Sequence, residues 1–166
     1  MTATLEHIDP KLRSILQDVP DPEIPVLSIM EMGVVRSAEF VDGVAHVSIT
    51  PTYSGCPAMD VIGDDIKKVL KSNGFEAKVK LVLSPAWTTD WITPKGRKAL
   101  EEYGIAAPLD AQADKDALLG GQKLVKCPQC GSIDTKMISQ FGSTACKAFF
   151  QCNSCQEPFD YFKCLK

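Results

Sequence analysis

Long hydrophobic runs are missing from this sequence. None approaches the roughly 18 residues that a membrane-spanning helix needs, so no transmembrane segment is expected. The stretch from Met1 to Pro10 has no basic region followed by an apolar core, so it does not read as a secretory leader, and a cytoplasmic location is expected. Positive charge is not in excess: the formal net charge is −3, which argues against a chain-wide nucleic-acid or anionic-membrane surface. No internal repeat is visible. Cysteine is nearly absent up to residue 126, where Cys56 stands alone, and the other six of the seven follow. In a reducing compartment such clustering points to metal or redox chemistry rather than structural disulfides. What is there is an ordinary globular composition, 45% hydrophobic and 23% charged over 166 residues, enough for one medium domain and a small one.

Cys56 lies in the stretch Thr50-Pro-Thr-Tyr-Ser-Gly-Cys-Pro-Ala-Met-Asp60, after a strand-like run and before a helix-like one. Pro57 suits the first helical position, where its missing N–H leaves nothing unsatisfied. That puts Cys56 at or next to the N-cap. Free N–H groups and the positive end of the helix dipole then face the sulfur and favour thiolate. Gly55 permits a tight approach, and Thr50, Thr52 and Ser54 offer hydroxyls. Such a thiol can be a nucleophile, a metal ligand or a cluster ligand. A buried structural cysteine is the plainer alternative and stays open at this point.

Before it, Asp9 and Pro10 read as the N-cap and first-turn proline of a helix bearing Leu12, Ile15, Leu16 and Val19. Three prolines between Pro20 and Pro25 end that helix. The stretch from Pro20 to Pro25, with Asp21 and Glu23 in it, is expected to be rigid, acidic and extended, or no more than a helix-ending loop. Two strand-like runs, Gly33 to Val41 and Val44 to Thr50, flank Asp42-Gly43, a strong hairpin signal. His46 falls inside the second run and reads as a strand-face residue rather than a ligand. Met59, Ile62, Ile66, Val69 and Leu70 mark the helix after Cys56, with Gly74 as its stop. Ala77, Val79, Leu81 and Leu83 alternate with Lys78 and Lys80, the pattern of a half-buried strand. Trp87 and Trp91 sit in the next loop and read as a lid on the core rather than a partner surface. Thr93 to Gly104 reads as a capped helix. The expected class is α+β: an α-β-β-α-β-α domain over residues 1–105, a linker over 106–122 ending in Gly120-Gly121, and a β domain over 123–166.

That last domain is framed by Cys127-Pro-Gln-Cys130 and Cys152-Asn-Ser-Cys155, two C-x-x-C knuckles 21 residues apart with short strand-like runs between them. About 44 residues cannot bury enough apolar surface to fold securely alone. Four thiolates on one zinc ion would supply the missing free energy, so a zinc ribbon is expected. A Cys₄ iron–sulfur site and a redox-active C-x-x-C pair are the alternatives. If the closing hairpin turns between Cys152 and Cys155, residue 146 faces about residue 162. That brings Cys146 near Cys164, with Lys147 and Lys163 flanking, as a second thiol site; two unrelated cysteines are the other reading.

Asp21-Pro22-Glu23, Gly33-Val34-Val35 and Thr50-Pro51-Thr52 leading to Gly55-Cys56-Pro57 resemble the iron–sulfur assembly domain of SufT-type and cytosolic iron–sulfur targeting proteins. Trp87-Thr-Thr-Asp-Trp-Ile-Thr93, Phe141-Gly-Ser-Thr-Ala-Cys-Lys147 and Glu157-Pro-Phe-Asp-Tyr-Phe-Lys-Cys164 narrow the match. Nearly the whole chain resembles the D-type accessory proteins of the phenylacetyl-CoA epoxidase (phenylacetate-CoA oxygenase) system. The resemblance implies a role in aerobic phenylacetate degradation, with epoxidase or reductase subunits as partners and a homodimer left open. It implies structural zinc and a transient iron or iron–sulfur cluster at Cys56, supported by Asp21, Glu23, Thr50, Thr52 and Gly55. The chain has no Glu-x-x-His pairs and no GxGxxG loop. A non-catalytic accessory or maturation component is therefore expected. A structural or regulatory component of the complex, without carrier activity, is the competing reading, and a thiol oxidoreductase using a C-x-x-C pair is a third. No nucleic-acid or membrane partner is expected.

Overall fold

The computed structural model describes residues 7–109, 119 and 125–163. Among these, no helix is long and apolar enough to cross a membrane. The chain divides into two compact units, Met1–Trp87 with Trp91–Gly96, and Thr88–Asp90 with Arg97–Lys166. Of the expected linker, residues 110–118 and 120–122 lie outside the described residues.

The first unit opens with helix α1 (Pro10–Leu16), whose cap is the expected one: Asp9 accepts from the N–H groups of Lys11 and Leu12. Strands β1 (Val35–Val41) and β2 (Val44–Ile49) form the hairpin signalled by Asp42-Gly43. Both turn residues have positive φ, 50° and 80°, as a type I′ turn demands. Helix α2 (Ala58–Ser72) then crosses over and returns the chain as β3 (Glu76–Leu81), parallel to β2. The sheet order is β1-β2-β3. Of the stripe its periodicity predicts, helix α2 buries Met59, Ile62, Ile66 and Leu70 and leaves Val69 half-buried, and each fully buried side chain is worth roughly 2 kcal/mol. It ends as expected at Gly74, where Phe75 N–H donates to Leu70 C=O (2.9 Å) and Gly74 N–H to Lys71 C=O (3.0 Å), a Schellman closure.

Two local expectations change. Asp21-Pro22-Glu23 is not extended: Asp21 Oδ1 accepts from Glu23 N–H (2.9 Å) and Ile24 N–H (3.0 Å) and folds the segment into a tight Asx turn. Strand β3 is more exposed than its alternation suggests. It lies at the sheet edge, with Ala77 and Val79 half-buried and Leu81 and Leu83 exposed.

Helix α3 (Pro94–Tyr103) starts with Thr93 Oγ1 accepting from Gly96 N–H (3.1 Å) and ends at Gly104. In the second unit a sheet of order β4-β7-β6-β5 is built from β4 (Ile105–Ala106), β5 (Thr135–Ser139), β6 (Lys147–Cys152) and β7 (Pro158–Phe162). β4 is too short for periodicity to reveal. The core of this unit is small: Phe150 stacks on Phe159 and meets the edge of Tyr161, at ring-centroid distances of 5.9 and 5.5 Å, and Cys127 and Cys152 are themselves core residues.

Candidate functional site

The first site is built where β2 ends. Thr50 N–H donates to Val34 C=O (2.9 Å), which holds the start of the 50–56 loop against the Gly33-Val34-Val35 segment. Gly33 has to be glycine: its φ is +70°, and a Cβ there would lie 2.6 Å from the Trp91 carbonyl oxygen. Gly55 (φ +77°) turns the loop, and Cys56 N–H donates back to Tyr53 C=O (3.2 Å). Pro57 is the N-cap of α2, so Cys56 sits one residue outside the helix, next to the cap as read from the sequence.

Cys56 is 8% exposed, and residues from several segments act on its sulfur. Burial is the largest influence and pushes the thiol above its ordinary value of 9.0. Hydrogen bonds from the Ala58 N–H and from the Thr52 and Tyr53 side chains pull the other way, while the charge of Glu23 adds to the upward shift. The thiolate expected from the helix start is thus overridden: one helix-end N–H does not outweigh desolvation beside a carboxylate. Asp21, 5% exposed, fixes the loop that carries Glu23 through its two backbone hydrogen bonds. Thr50 and Thr52 are buried, and the Thr50 hydroxyl has no hydrogen-bond partner among the described residues. Sequence reasoning missed Tyr53; its place beside Thr52 is the one signal that points to it. His46 lies on β2 between Glu39 of β1 and Lys78 of β3. Trp87 is buried with its Nε1–H donating to Met32 C=O (2.8 Å), and Trp91 carries the Arg36 guanidinium 3.5 Å over its ring, in keeping with a lid on the core of this unit.

The second site is the four-cysteine set. Cys127, Cys130, Cys152 and Cys155 place their sulfurs within 4.8 Å of one another. Two edges are 3.7 Å (Cys127 to Cys155) and 3.5 Å (Cys130 to Cys152). A tetrahedral ion with bonds of about 2.3 Å has sulfur–sulfur edges of about 3.8 Å, so the set fits a single S₄-ligated metal. Ligand sulfurs of an iron–sulfur cluster, divided among several irons, stand further apart. The backbone N–H of Cys155 points at Cys152 Sγ (3.5 Å) and, as the largest influence, pulls that thiol down to about 6. Glu157 N–H pulls Cys155 down, but burial and the thiols of Cys130, Cys152 and Cys127 together push it up to about 12. Sulfurs that share protons this closely are a donor set for one soft divalent cation.

Cys146 is buried, with Thr144 Oγ1 3.0 Å from its sulfur. The hairpin register pairs Lys147 with Phe162, and Lys163 N–H donates to Cys146 C=O (3.0 Å). Residue 146 therefore stands beside 163, one residue from the expected partner. Cys164 lies outside the described residues.

Known proteins match both halves. Residues 10–81 match the family described as iron–sulfur cluster assembly protein, and residues 111–163 match the PaaD zinc beta ribbon domain. A protein provisionally named as the D-type component of 1,2-phenylacetyl-CoA epoxidase, from Escherichia coli (strain K12), is 49% identical over 153 residues, 92% of this chain and 90% of that one. The Fe-S protein maturation auxiliary factor YitW of Bacillus subtilis (strain 168) is 32% identical over 98 residues, 57% of this chain and 95% of that protein. The crystal structure of a domain of unknown function, DUF59, from Bacillus anthracis superposes with a TM-score of 0.51 at 32% identity, covering 54% of this chain and 88% of that one. Half the residues are shared along nearly the full length of the Escherichia coli protein, through both units, and this chain belongs to the family of D-type components of phenylacetyl-CoA epoxidase.

Proposed function

We propose that this protein serves the phenylacetyl-CoA epoxidase system as a maturation factor, passing iron or an iron–sulfur cluster to an epoxidase or reductase subunit through Cys56. The observation that carries the reading is the surroundings of that thiol. A nearly buried sulfur receives hydrogen bonds from Thr52, Tyr53 and the first turn of α2 while facing the charge of Glu23. These groups suit a cation cargo. The empty thiol stays protonated and unreactive; binding of iron would release that proton to solvent while the donors hold the thiolate charge in place. One thiol cannot hold a cluster alone, so the remaining ligands come from the client, a second chain or a small thiol. The likeness of residues 10–81 to iron–sulfur assembly proteins, and of this unit to the maturation factor YitW, supports the same role.

In the second unit, Cys127, Cys130, Cys152 and Cys155 hold zinc, which ties the two knuckles together and supplies folding free energy. The division of labour proposed is a cargo domain over residues 1–105 and a zinc ribbon over 123–166.

The test is Cys56→Ala in cells that depend on phenylacetate as sole carbon source. Loss of growth with a folded protein at normal level is expected. Normal growth would leave the chain a structural component of the complex, and a melted protein would make Cys56 a core residue.

A further inference from the structure

The outer edge of β3 has no strand beside it among the described residues. Its two faces differ in chemistry. The register aligns Glu39, His46 and Lys78 in one row across the sheet, and Ser37, Ser48 and Lys80 in the next. That face is polar, and both lysines are exposed. On the other face Val79 and Leu81 continue rows begun by Val47 and Ile49, and they line a cleft of about 330 Å³ whose other walls are apolar at Ile49, Met59 and Gly63 and charged at Asp60, Asp64 and Lys67, so only apolar side chains, not acids, suit this side. Leu81, the last residue of β3, is 50% exposed, and Leu83, two residues beyond the strand, 66%, so large apolar side chains face solvent at this end of the edge. A side chain at Gly63 would reach Val79 Cγ1 at 3.8 Å, so the glycine keeps α2 from filling the cleft floor.

We propose that the edge formed by β3 from Lys78 to Leu81, with the two residues that follow it, binds an extended segment of a client protein in which acidic and apolar residues alternate. Backbone hydrogen bonds along the edge would hold the added strand, and alternate side chains would enter the α2-side cleft. The remaining side chains would stand opposite Lys78 and Lys80, where acids complete the rows and cations are repelled. Charge also sets the position. Glu76 at the other end of β3 repels an acidic segment, which favours the end nearest Leu81. A second copy of this chain is the poorer occupant: antiparallel pairing about Val79 would set Lys78 of each copy against Lys80 of the other. The cleft includes Met59, in the first turn of α2 and three residues after Cys56, so a segment docked here lies near that thiol. The inference deepens the delivery reading and rests on it only for calling the partner a client.

The test titrates the isotope-labelled full-length protein with two end-blocked synthetic peptides, one alternating valine and glutamate, the other valine and lysine. The glutamate peptide is expected to shift the amide resonances of residues 78–83 and slow their hydrogen exchange, and the lysine peptide is not. The double variant Lys78→Glu, Lys80→Glu, altered only at exposed positions, should weaken the glutamate peptide by about tenfold or more and admit the lysine peptide. Cys56→Ala should bind as the unaltered protein does, so docking is read separately from cargo transfer. Equal response to both peptides, no response to either, shifts elsewhere in the chain, or a preference untouched by the double variant would overturn the proposal. So would a concentration-dependent dimer through this edge, which would make a second copy its occupant.

Discussion

Cys56 and Cys152 are both almost inaccessible, 8% and 0% exposed, yet their thiols shift in opposite directions. At Cys56 burial dominates and stores the proton. At Cys152 a backbone N–H from Cys155 dominates, with the Ser154 N–H and neighbouring thiols assisting, and the proton leaves easily. The contrast follows from where each unit places its sulfur. The first unit has a core of its own, with Leu12, Leu16, Ile24, Leu27, Ile29, Ile62, Ile66 and Leu70 almost fully buried, and Cys56 sits at its margin. In the second unit Cys127 and Cys152 belong to the core itself, so the sulfur set and the hydrophobic core are one structure. On the function proposed above, one unit stands without a metal and handles a transient one, and the other depends on a resident ion.

Metal removal should separate the two most sharply. Structural zinc in small domains contributes an apparent ~10–16 kcal/mol at neutral pH, more than most domains hold in reserve. Cys127→Ser, or a strong chelator, should therefore release one zinc per chain and unfold the second unit. The two tryptophans, Trp87 and Trp91, both belong to the first unit, with Thr88–Asp90 of the second unit between them, so their fluorescence reports mainly on the first unit. It should keep its folded-state maximum while the near-ultraviolet dichroism from Tyr161 and its phenylalanine neighbours collapses. Full zinc content in Cys127→Ser would break the assignment.

The reverse experiment breaks the first unit and spares the second. Gly33→Ala forces a Cβ into a left-handed backbone (φ +70°) and to 2.6 Å from the Trp91 carbonyl oxygen. Left-handed strain costs about 1–2 kcal/mol and overpacking about 1–3 more. The tryptophan unfolding transition should move by about 2–5 kcal/mol with zinc content intact. Tryptophan curves that coincide with those of the unaltered protein would show that the loop yields at little cost.

What can be read in advance divides along the same line. The paired knuckles at Cys127 to Cys155 are plain because metal geometry leaves few spacings, and the closing hairpin follows to within one residue. Helix α2, the Asp42-Gly43 turn and the Asp9 cap are plain because each depends on local chemistry. The Asx turn at Asp21 is not, since a proline-rich segment is equally compatible with an extended path until the carboxylate finds two N–H groups. The exposure of Leu81 is hidden because alternation shows which residues share a face, not whether another strand lies alongside. The protonation of Cys56 is hidden too, because a sequence shows the helix end that lowers a thiol but not the burial that raises it.

A titration sharpens that last point. Because folding raises the Cys56 thiol above its ordinary 9.0, the protonated form is favoured in the folded protein. The associated stability is fully present below the unfolded value and is lost as pH rises through the folded value. Alkylation of Cys56 by iodoacetamide should be slow at neutral pH and reach half its limiting rate above 9.0. Rapid modification near neutrality would restore the thiolate and make the sulfur a candidate nucleophile.

The smallest effect expected is a gain. Gly63 lies within α2, where glycine costs about 1 kcal/mol relative to alanine through the backbone freedom lost on folding. An added Cβ would touch Val79 Cγ1 at 3.8 Å, ordinary van der Waals contact, and φ there is not left-handed. Gly63→Ala should stabilise the first unit by about 0.5–1 kcal/mol, a shift of a few degrees in the tryptophan melting curve. The second unit should not respond. If the variant is instead destabilised, α2 must pack more tightly over β3 than the open cleft indicates, and the room available to a docked strand shrinks with it. If it is stabilised but weakens the glutamate peptide, the cleft floor is part of the binding surface, and the glycine is retained at the expense of helix stability.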